Sequence, residues 1–359
     1  MDLLEEYYAH PPQIESFVPR KITIPPKKNL NLFGVRGSGK SAIIYDYIQN
    51  CDKNILYIDL EDPRLIIHGF DTLPIDEFIE DNEISELILD HYEDGILEFF
   101  PKVDRLIVVS RQKQDYDKFD YIQLLALEYE EFLAFDTNGS DSVAFNHFLK
   151  SGTLPSVASH QKSISIMFKQ FFQQQFLPNE QSLLLILARY NTQPLTTHQI
   201  YSLAKEYFKI SKDFIYSAIK RFELEGIIYF IDNDINRSGK KMILYDFAFA
   251  RFLSTTHTFA SSFDAMVAIS LINHKYSFKT LGIYGYITSD NELIIPSPFE
   301  SEDSMWVKSQ KNYSLYQKHN ISKITILTVS NSYRFEIDKI TFEALPYREW
   351  AIMDKESNL

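Results

Sequence analysis

The chain has 359 residues, 45% of them hydrophobic and 24% charged, which is enough for roughly two to three domains with real cores and lies outside the range of disordered or fibrous sequences. Thirty-six Lys and Arg face 49 Asp and Glu, a net charge of −13, so whole-molecule attraction to nucleic acid or anionic membrane is excluded and only a local basic patch is left as an option. The single cysteine, Cys51, cannot form an internal disulfide, and no Cys/His quartet is available for structural zinc, which points to a reducing cytoplasm. The acidic start Met1-Asp-Leu-Leu-Glu-Glu and the lack of any apolar run near 18 residues predict neither secretion nor membrane insertion.

Residues 1–28 are expected to form an irregular arm, since Pro11, Pro12, Pro19, Pro25 and Pro26 block helix and remove backbone donors. From Asn29 to about Ser110, short apolar runs alternate with helical stretches: Leu30–Phe33, Ser41–Gln49, Ile55–Leu60, Leu87–Leu89 and Leu106–Val109. That alternation implies an α/β domain with a mainly parallel, buried sheet. Tyr121 to about Gln175 reads as a small helical lid, completing a first domain over 1–178. A second domain, 179–255, begins with the apolar face of Leu183, Leu184, Leu187 and Ala188; Thr196/Thr197 and Ser211 then cap two helices, and Gly226 stops the latter. Two strands, Ile227–Ile231 and Met242–Tyr245, complete the order of a winged helix-turn-helix. The remainder, 256–359, carries a helix (Phe263–Asn273), extended segments (Gly282–Ile287, Glu292–Ile295), a helix around Trp306–His319, and strands Lys323–Val329 and Arg334–Ile340, the pattern of a small α/β domain.

Gly34-Val35-Arg36-Gly37-Ser38-Gly39-Lys40-Ser41 is a complete G-x-x-x-x-G-K-[ST] motif between a strand and a helix. Backbone N–H groups there, from the loop through Ala42, would cradle the phosphates of ATP at the helix dipole's positive end. Lys40 would contact the β- and γ-phosphates, and Ser41 would ligate Mg²⁺. Arg36 would face a partner, the γ-phosphate or solvent. A magnesium shell needs a second acidic strand end, and Ser85-Glu-Leu-Ile-Leu-Asp90 supplies Asp90. The residue after it is His91 where a hydrolysing site usually has Glu; Glu93 stands two further on, so Glu93 or His91 is the candidate base. Ser110 ends another strand as a candidate γ-phosphate sensor, with Arg111 or Arg64 as charge donor.

The phosphate loop, Leu56-Tyr-Ile-Asp-Leu-Glu-Asp-Pro-Arg64, the Asp90 strand, Leu124-Leu-Ala-Leu-Glu-Tyr-Glu-Glu-Phe-Leu133 and Phe148-Leu-Lys-Ser-Gly-Thr-Leu-Pro155 resemble the prokaryotic, archaeal-ATPase-like AAA-type ATPases that join a winged helix to a C-terminal restriction-nuclease-like domain. The resemblance implies an ATP-binding module with Asp90 at the magnesium-shell position. His91 departs from the family's Asp-Glu pair.

Lys212, Tyr216 and Lys220 recur at i, i+4 spacing on the expected recognition helix, with Arg221 beside them, and the wing adds Arg237, Lys240 and Lys241. Over Thr196–Lys241 eight Lys/Arg stand against six Asp/Glu, a modest local excess that leaves DNA contact and a packing or relay role both open. A restriction-type nuclease needs an acidic residue and a Glu/Asp-x-Lys on adjacent strands; Asp290 and Glu292 occupy a plausible hairpin, but position 294 is Ile, so the C-terminal domain is expected not to cut. The sequence thus describes an ATP/Mg²⁺-binding switch, a weak ATPase coupling nucleotide state to a DNA or protein partner. Its alternatives are a non-hydrolysing scaffold and an ATP-dependent nuclease; oligomerisation stays open.

Overall fold

The strands expected after Asn29 form one parallel sheet in a computed structural model that describes residues 3–70, 73–97, 99–136, 140–160, 163–235 and 239–353. The chain divides into two compact units, Met1–Ala126 with Leu224–Gly226, and Leu127–Glu223 with Ile227–Leu359. The expected boundaries at 178 and 255 both fall inside the second unit.

In the first unit, β1 (Asn29–Gly34), β2 (Ile55–Asp59), β3 (Glu86–Tyr92), β4 (Arg105–Ser110) and β5 (Phe119–Leu124) lie in the order β2-β3-β4-β1-β5, every pairing parallel. Among the described residues the helices α1 (Leu3–Ala9), α2 (Lys40–Gln49), α3 (Leu65–His68) and α4 (Ile75–Asp81) accompany them. Leu30, Leu32, Ile88, Ile107 and Val109 pack with Ile43 and Ile44 of α2. On the other face Leu56, Ile58, Leu87, Leu89, Leu106 and Val108 pack with Ile75 and Ile79 of α4. Burial on both faces is why the central strands read as continuous apolar runs.

Two expectations fail here. The first residues of the arm are helical: before Pro11 nothing interrupts the backbone ladder, and Leu3, Leu4 and Tyr7, one turn apart, bury themselves in the core that β2 and β3 share. The segment taken as the start of the lid is an edge strand, because Phe119–Leu124 pairs in parallel with β1 along its whole length. Asp120 and Gln123 interrupt the apolar Phe119, Tyr121, Ile122 and Leu124, so no clean alternation marks the strand off from the helical stretch that follows.

The second unit opens with α5 (Tyr129–Phe135), α6 (Asp141–Ser151), α7 (Pro155–Ala158), α8 (Ile164–Gln175) and α9 (Pro178–Arg189), then β6 (Pro194–Leu195), α10 (Thr197–Tyr207), α11 (Lys212–Leu224), β7 (Ile228–Ile231) and β8 (Lys240–Leu244). Thr196 caps α10 reciprocally: its hydroxyl accepts from the Gln199 N–H at 3.2 Å while the Gln199 side chain accepts from the Thr196 N–H at 2.8 Å. Ser211 Oγ accepts from the Phe214 N–H at 3.1 Å, and Gly226 turns the chain after α11 at a φ of 73°. Strands β6, β8 and β7 make an antiparallel sheet in that order.

After α12 (Phe247–Leu253) and α13 (Phe259–Asn273) come β9 (Phe278–Thr280), β10 (Tyr286–Thr288), β11 (Glu292–Pro296), α14 (Glu302–Lys318), β12 (Lys323–Thr328), β13 (Tyr333–Ile337), β14 (Ile340–Pro346) and α15 (Tyr347–Ile352). Their sheet runs β13-β14-β12-β11-β10-β9, with β11, β12 and β14 mutually parallel. The strand expected over Arg334–Ile340 is in fact a hairpin: Ile337 pairs with Ile340, and Asp338 takes the left-handed φ of 52° that a two-residue turn requires.

Candidate nucleotide-binding site

β1 ends at Gly34, where φ is 156° and a Cβ would collide with the Leu124 carbonyl of β5. Gly37 and Gly39 take φ of 77° and 93°, so the loop turns at positions only glycine occupies without strain and delivers the chain to α2 at Lys40. The first N–H groups of a helix have no acceptor inside it and sit at the positive end of its dipole, which makes those of Lys40, Ser41 and Ala42 donors for a phosphate. Lys40 Nζ bends back over the loop and donates to the carbonyls of Gly34 at 2.8 Å and Val35 at 3.0 Å. Burial pulls its pKa down to about 8, against the upward pull of Asp90 and Glu225 and with a further downward push from Arg111 and Arg36. The Ser38 hydroxyl is fully buried in the loop and makes no hydrogen bond among the described residues. Arg20 braces the loop from outside, donating to the Ser38 carbonyl at 2.8 Å and the Leu125 carbonyl at 3.1 Å.

Asp90 ends the apolar run of β3 in register with Asp59 on β2 and is buried. The Tyr57 hydroxyl donates to its Oδ2 at 3.0 Å, and the His91 N–H donates to Oδ1 at 2.8 Å. His91 has a left-handed φ of 55° where the β3–β4 register shifts. This turns its Nδ1 to Asp59 Oδ1, 2.7 Å away. Burial alone would lower the His91 pKa, yet the Asp59 hydrogen bond with the charges of Asp90 and Glu61 raises it. Asp59, pushed up by burial, ends below the usual carboxylate range because His91 and the Glu61 N–H bind it. Glu93 is exposed and paired with Arg111 at 3.0 Å, whose other nitrogen reaches Glu61 at 2.6 Å. Ser110 lies in register with Phe33; its hydroxyl accepts from Asn31 at 2.8 Å and donates to the Gln112 carbonyl at 2.7 Å. Arg64 pairs with Asp62 and Glu6 at 2.6 and 2.5 Å.

The structure thus gathers the phosphate loop, Asp59, Asp90 and Ser110 at the carboxyl ends of parallel strands, the usual position of a ligand crevice in such sheets. Ser41 and Asp90 supply oxygen donors, the kind magnesium takes together with substrate phosphates and water, so the residues present fit the nucleotide and its metal. Among the described residues no cluster of three or more His, Cys, Asp or Glu side chains forms a metal site by itself.

Arg36 does not reach solvent as one of its expected alternatives had it. Only 5% exposed, its Nε lies 2.9 Å from Glu225 Oε2 and its Nη2 donates to Oε1 at 3.3 Å, while the Glu225 side chain is 4% exposed. Glu225 carries no signal in the sequence, since its partner stands 189 positions away. Asp59 and Tyr57 were also missed, although Leu56-Tyr-Ile-Asp59 ends a strand on an acid as the Asp90 strand does.

In the second unit the basic residues of α11 and β8 are not equivalent. Lys212 lies over the Tyr216 ring, 5.4 Å from its centroid, and Tyr216 and Lys220 are exposed. Arg221 is instead bound to the buried Glu180, Lys240 pairs with Asp232 at 3.1 Å, and Lys241 pairs with Asp264 at 2.5 Å. Arg237 lies outside the described residues. On β11 Glu292 meets a lysine after all, Lys323 across the parallel pairing with β12 at 3.1 Å, and it also accepts from Thr325 Oγ1 at 2.5 Å. Among the described residues no helix is long and apolar enough to cross a membrane.

Residues 26–133 match the family model of an AAA domain, and with the parallel sheet and its glycine loop they form an AAA-type P-loop domain. No curated protein matches the sequence. Similar solved structures include the ORC1 protein of Aeropyrum pernix in complex with DNA, 11% identical over 64% of this chain and 87% of that one at a TM-score of 0.30. Another is Drosophila ORC bound to DNA, 12% identical over 64% of this chain and 81% of that one at a TM-score of 0.23.

Proposed function

We propose that the chain is a nucleotide-dependent switch that binds ATP with Mg²⁺ at the phosphate loop, turns it over slowly, and passes its nucleotide state to a DNA or protein partner. One observation carries the reading: Gly34, whose missing Cβ is required by the Leu124 carbonyl, delivers a loop of left-handed glycines to the N-terminus of α2, with Lys40 folded over it and the buried Asp90 at a nearby strand end. Magnesium bound with the phosphates would neutralise part of their charge. The α2 amides would orient the phosphates, Lys40 would leave two neutral carbonyls to meet them, and Ser41 and Asp90 would hold the metal. Titration calorimetry tests this. One ATP is expected to bind per chain with Mg²⁺ and to be lost in Lys40→Ala, and unchanged affinity in that variant would overturn the assignment.

Slow turnover follows from what surrounds the candidate bases. His91 is held by Asp59 and Glu93 by Arg111, so either must leave an ion pair before it takes a proton from water. Glu93→Gln is expected to lower the rate further; a complete stop in His91→Ala alone would move the base to His91. The same ion pairs favour the second reading, a scaffold that binds nucleotide without hydrolysing it, which zero turnover at saturating ATP would establish.

The order α9, α10, α11, β7, β8 supports a winged helix-turn-helix that offers Lys212, Tyr216 and Lys220 to a partner. The six-stranded sheet is assigned to a degenerate nuclease-like domain in a cytoplasmic protein. Glu292 there is paired with Lys323, which leaves it a weaker metal ligand. No cleavage of single- or double-stranded DNA or RNA with Mg²⁺ or Mn²⁺ is expected; cleavage lost in Glu292→Ala but kept in Lys40→Ala would make it a nuclease in its own right.

A further inference from the structure

Leu224–Gly226 stands out in the chain's organisation, because these three residues belong to the first unit while the residues on either side of them belong to the second. Within that first unit Arg36, the third residue of the phosphate loop, forms a buried pair with Glu225. The guanidinium meets the carboxylate through two nitrogens, at 2.9 and 3.3 Å, a fork geometry that a phosphate oxygen pair also satisfies. Both groups act on the ammonium that would hold the nucleotide: Glu225 raises the Lys40 pKa and Arg36 lowers it. Glu225 is therefore an anion standing within electrostatic reach of a site built for anions.

We propose that Glu225 is the nucleotide-sensing residue of this site. It shares Arg36 with the polyphosphate, so that ATP entering the phosphate loop loosens the Arg36–Glu225 pair, and the pair in turn restrains ATP affinity. This rests on the nucleotide reading above. The physical reason is like-charge repulsion: a bound triphosphate, even with Mg²⁺, brings net negative charge close to Lys40 and Arg36, where burial keeps water from screening it. Coupling of this kind is reciprocal, so whatever ATP does to the pair, the pair does to ATP. Because Glu225 follows α11 directly and precedes β7, a loosened pair changes the junction between those two elements.

The test combines affinity and local opening in the full chain. Glu225→Gln is expected to bind ATP·Mg²⁺ about three- to tenfold more tightly than the wild type, the scale of modest allosteric coupling. In the wild type, ATP·Mg²⁺ should raise amide hydrogen exchange at Leu224–Gly226 while slowing it at Gly37–Ala42, and neither change should appear in Lys40→Ala. Glu225→Gln leaves the Arg36 charge buried with a weaker partner and is open to misfolding. In that event the paired Arg36→Met, Glu225→Leu variant, which removes both charges, replaces it, and the wild-type exchange pattern decides. Unchanged or weaker ATP binding by a folded Glu225→Gln, or protection at Gly37–Ala42 with no added exchange at Leu224–Gly226, overturns the sensing role and leaves the nucleotide site standing. Absence of any ATP binding by the wild type overturns both.

Discussion

Lys40 in the phosphate loop and Lys241 on β8 are two lysines in segments that the sequence marks for negatively charged ligands, and their surroundings differ. Lys40 rests on two uncharged carbonyls, whereas Lys241 is bound to Asp264, which also accepts the Tyr286 hydroxyl at 2.6 Å. A cation satisfied by neutral oxygens keeps its charge available for an arriving anion. One already neutralised by a carboxylate must give up that partner first, at the cost of stranding a partly buried charge. A basic count along a sequence therefore overstates how much positive charge a surface offers, and the partner of each cation decides.

The sharpest way to break that contrast is to remove each lysine. Lys40→Ala is expected to lower ATP affinity about 100-fold or more, roughly 2.7 kcal/mol, while changing unfolding stability by about 1 kcal/mol or less. Lys241→Ala should do the reverse, leaving ATP affinity unchanged and costing about 1–2 kcal/mol of stability because Asp264 loses its counter-charge. Calorimetric titration and denaturant unfolding of both variants measure this; equal loss of ATP binding in the two would erase the distinction.

Next in size is a pH effect specific to Lys40. With its pKa near 8 in the free protein, Lys40 loses its proton above that pH, whereas a bound phosphate favours the charged form, so binding at higher pH must take up a proton. ATP affinity should stay level below about pH 8 and fall by up to about tenfold per pH unit above it. The fold itself moves the other way. Folding lowers this pKa from 10.5, so protonated Lys40 opposes folding and its contribution to stability improves as pH rises from about 8 toward 10.5. Affinity and unfolding measured between about pH 7 and 10 check both signs, and a level affinity profile would show that the ammonium does not take part.

Asp90→Asn should produce a smaller, metal-selective change. It keeps the side chain's size and its place beside Tyr57 and His91 but removes the charge, so Mg²⁺-dependent ATP binding is expected to weaken about tenfold, about 1.4 kcal/mol, with Mg²⁺-free binding little altered. Equal weakening in both conditions would deny Asp90 its part in holding the metal. The smallest effects belong to the α11 surface. If a DNA duplex binds there, Lys212→Ala and Lys220→Ala should each lower the salt slope of binding by about one. Arg221→Ala and Lys241→Ala should leave the slope nearly unchanged, since Glu180 and Asp264 already hold those cations. A salt-independent response to every duplex would favour the relay role.

What was legible in the sequence was local. The G-x-x-x-x-G-K-S run, the acid closing the β3 apolar run, the Thr196 and Ser211 caps and the Gly226 stop all depend on residues within a few positions of one another, and each stands where the spacing placed it. The errors were local as well: seven residues too few to outweigh a proline-rich arm hid α1, and a two-residue turn with no glycine joined β13 and β14 into one apparent strand.

The sequence by itself determined that residues 29–110 build a parallel sheet and that a glycine loop with Lys40 and Ser41 leads from its first strand into a helix, because periodicity and backbone freedom are properties of short segments. Tertiary structure alone decided which charges are left to act. It bound Arg36 to Glu225, His91 to Asp59, Arg111 to Glu61 and Glu93, and Lys323 to Glu292. These partners lie between 18 and 189 positions apart, and no local pattern ranks one carboxylate above another. Only the packed chain does so, because burial makes each charge choose a counter-ion that water would otherwise replace.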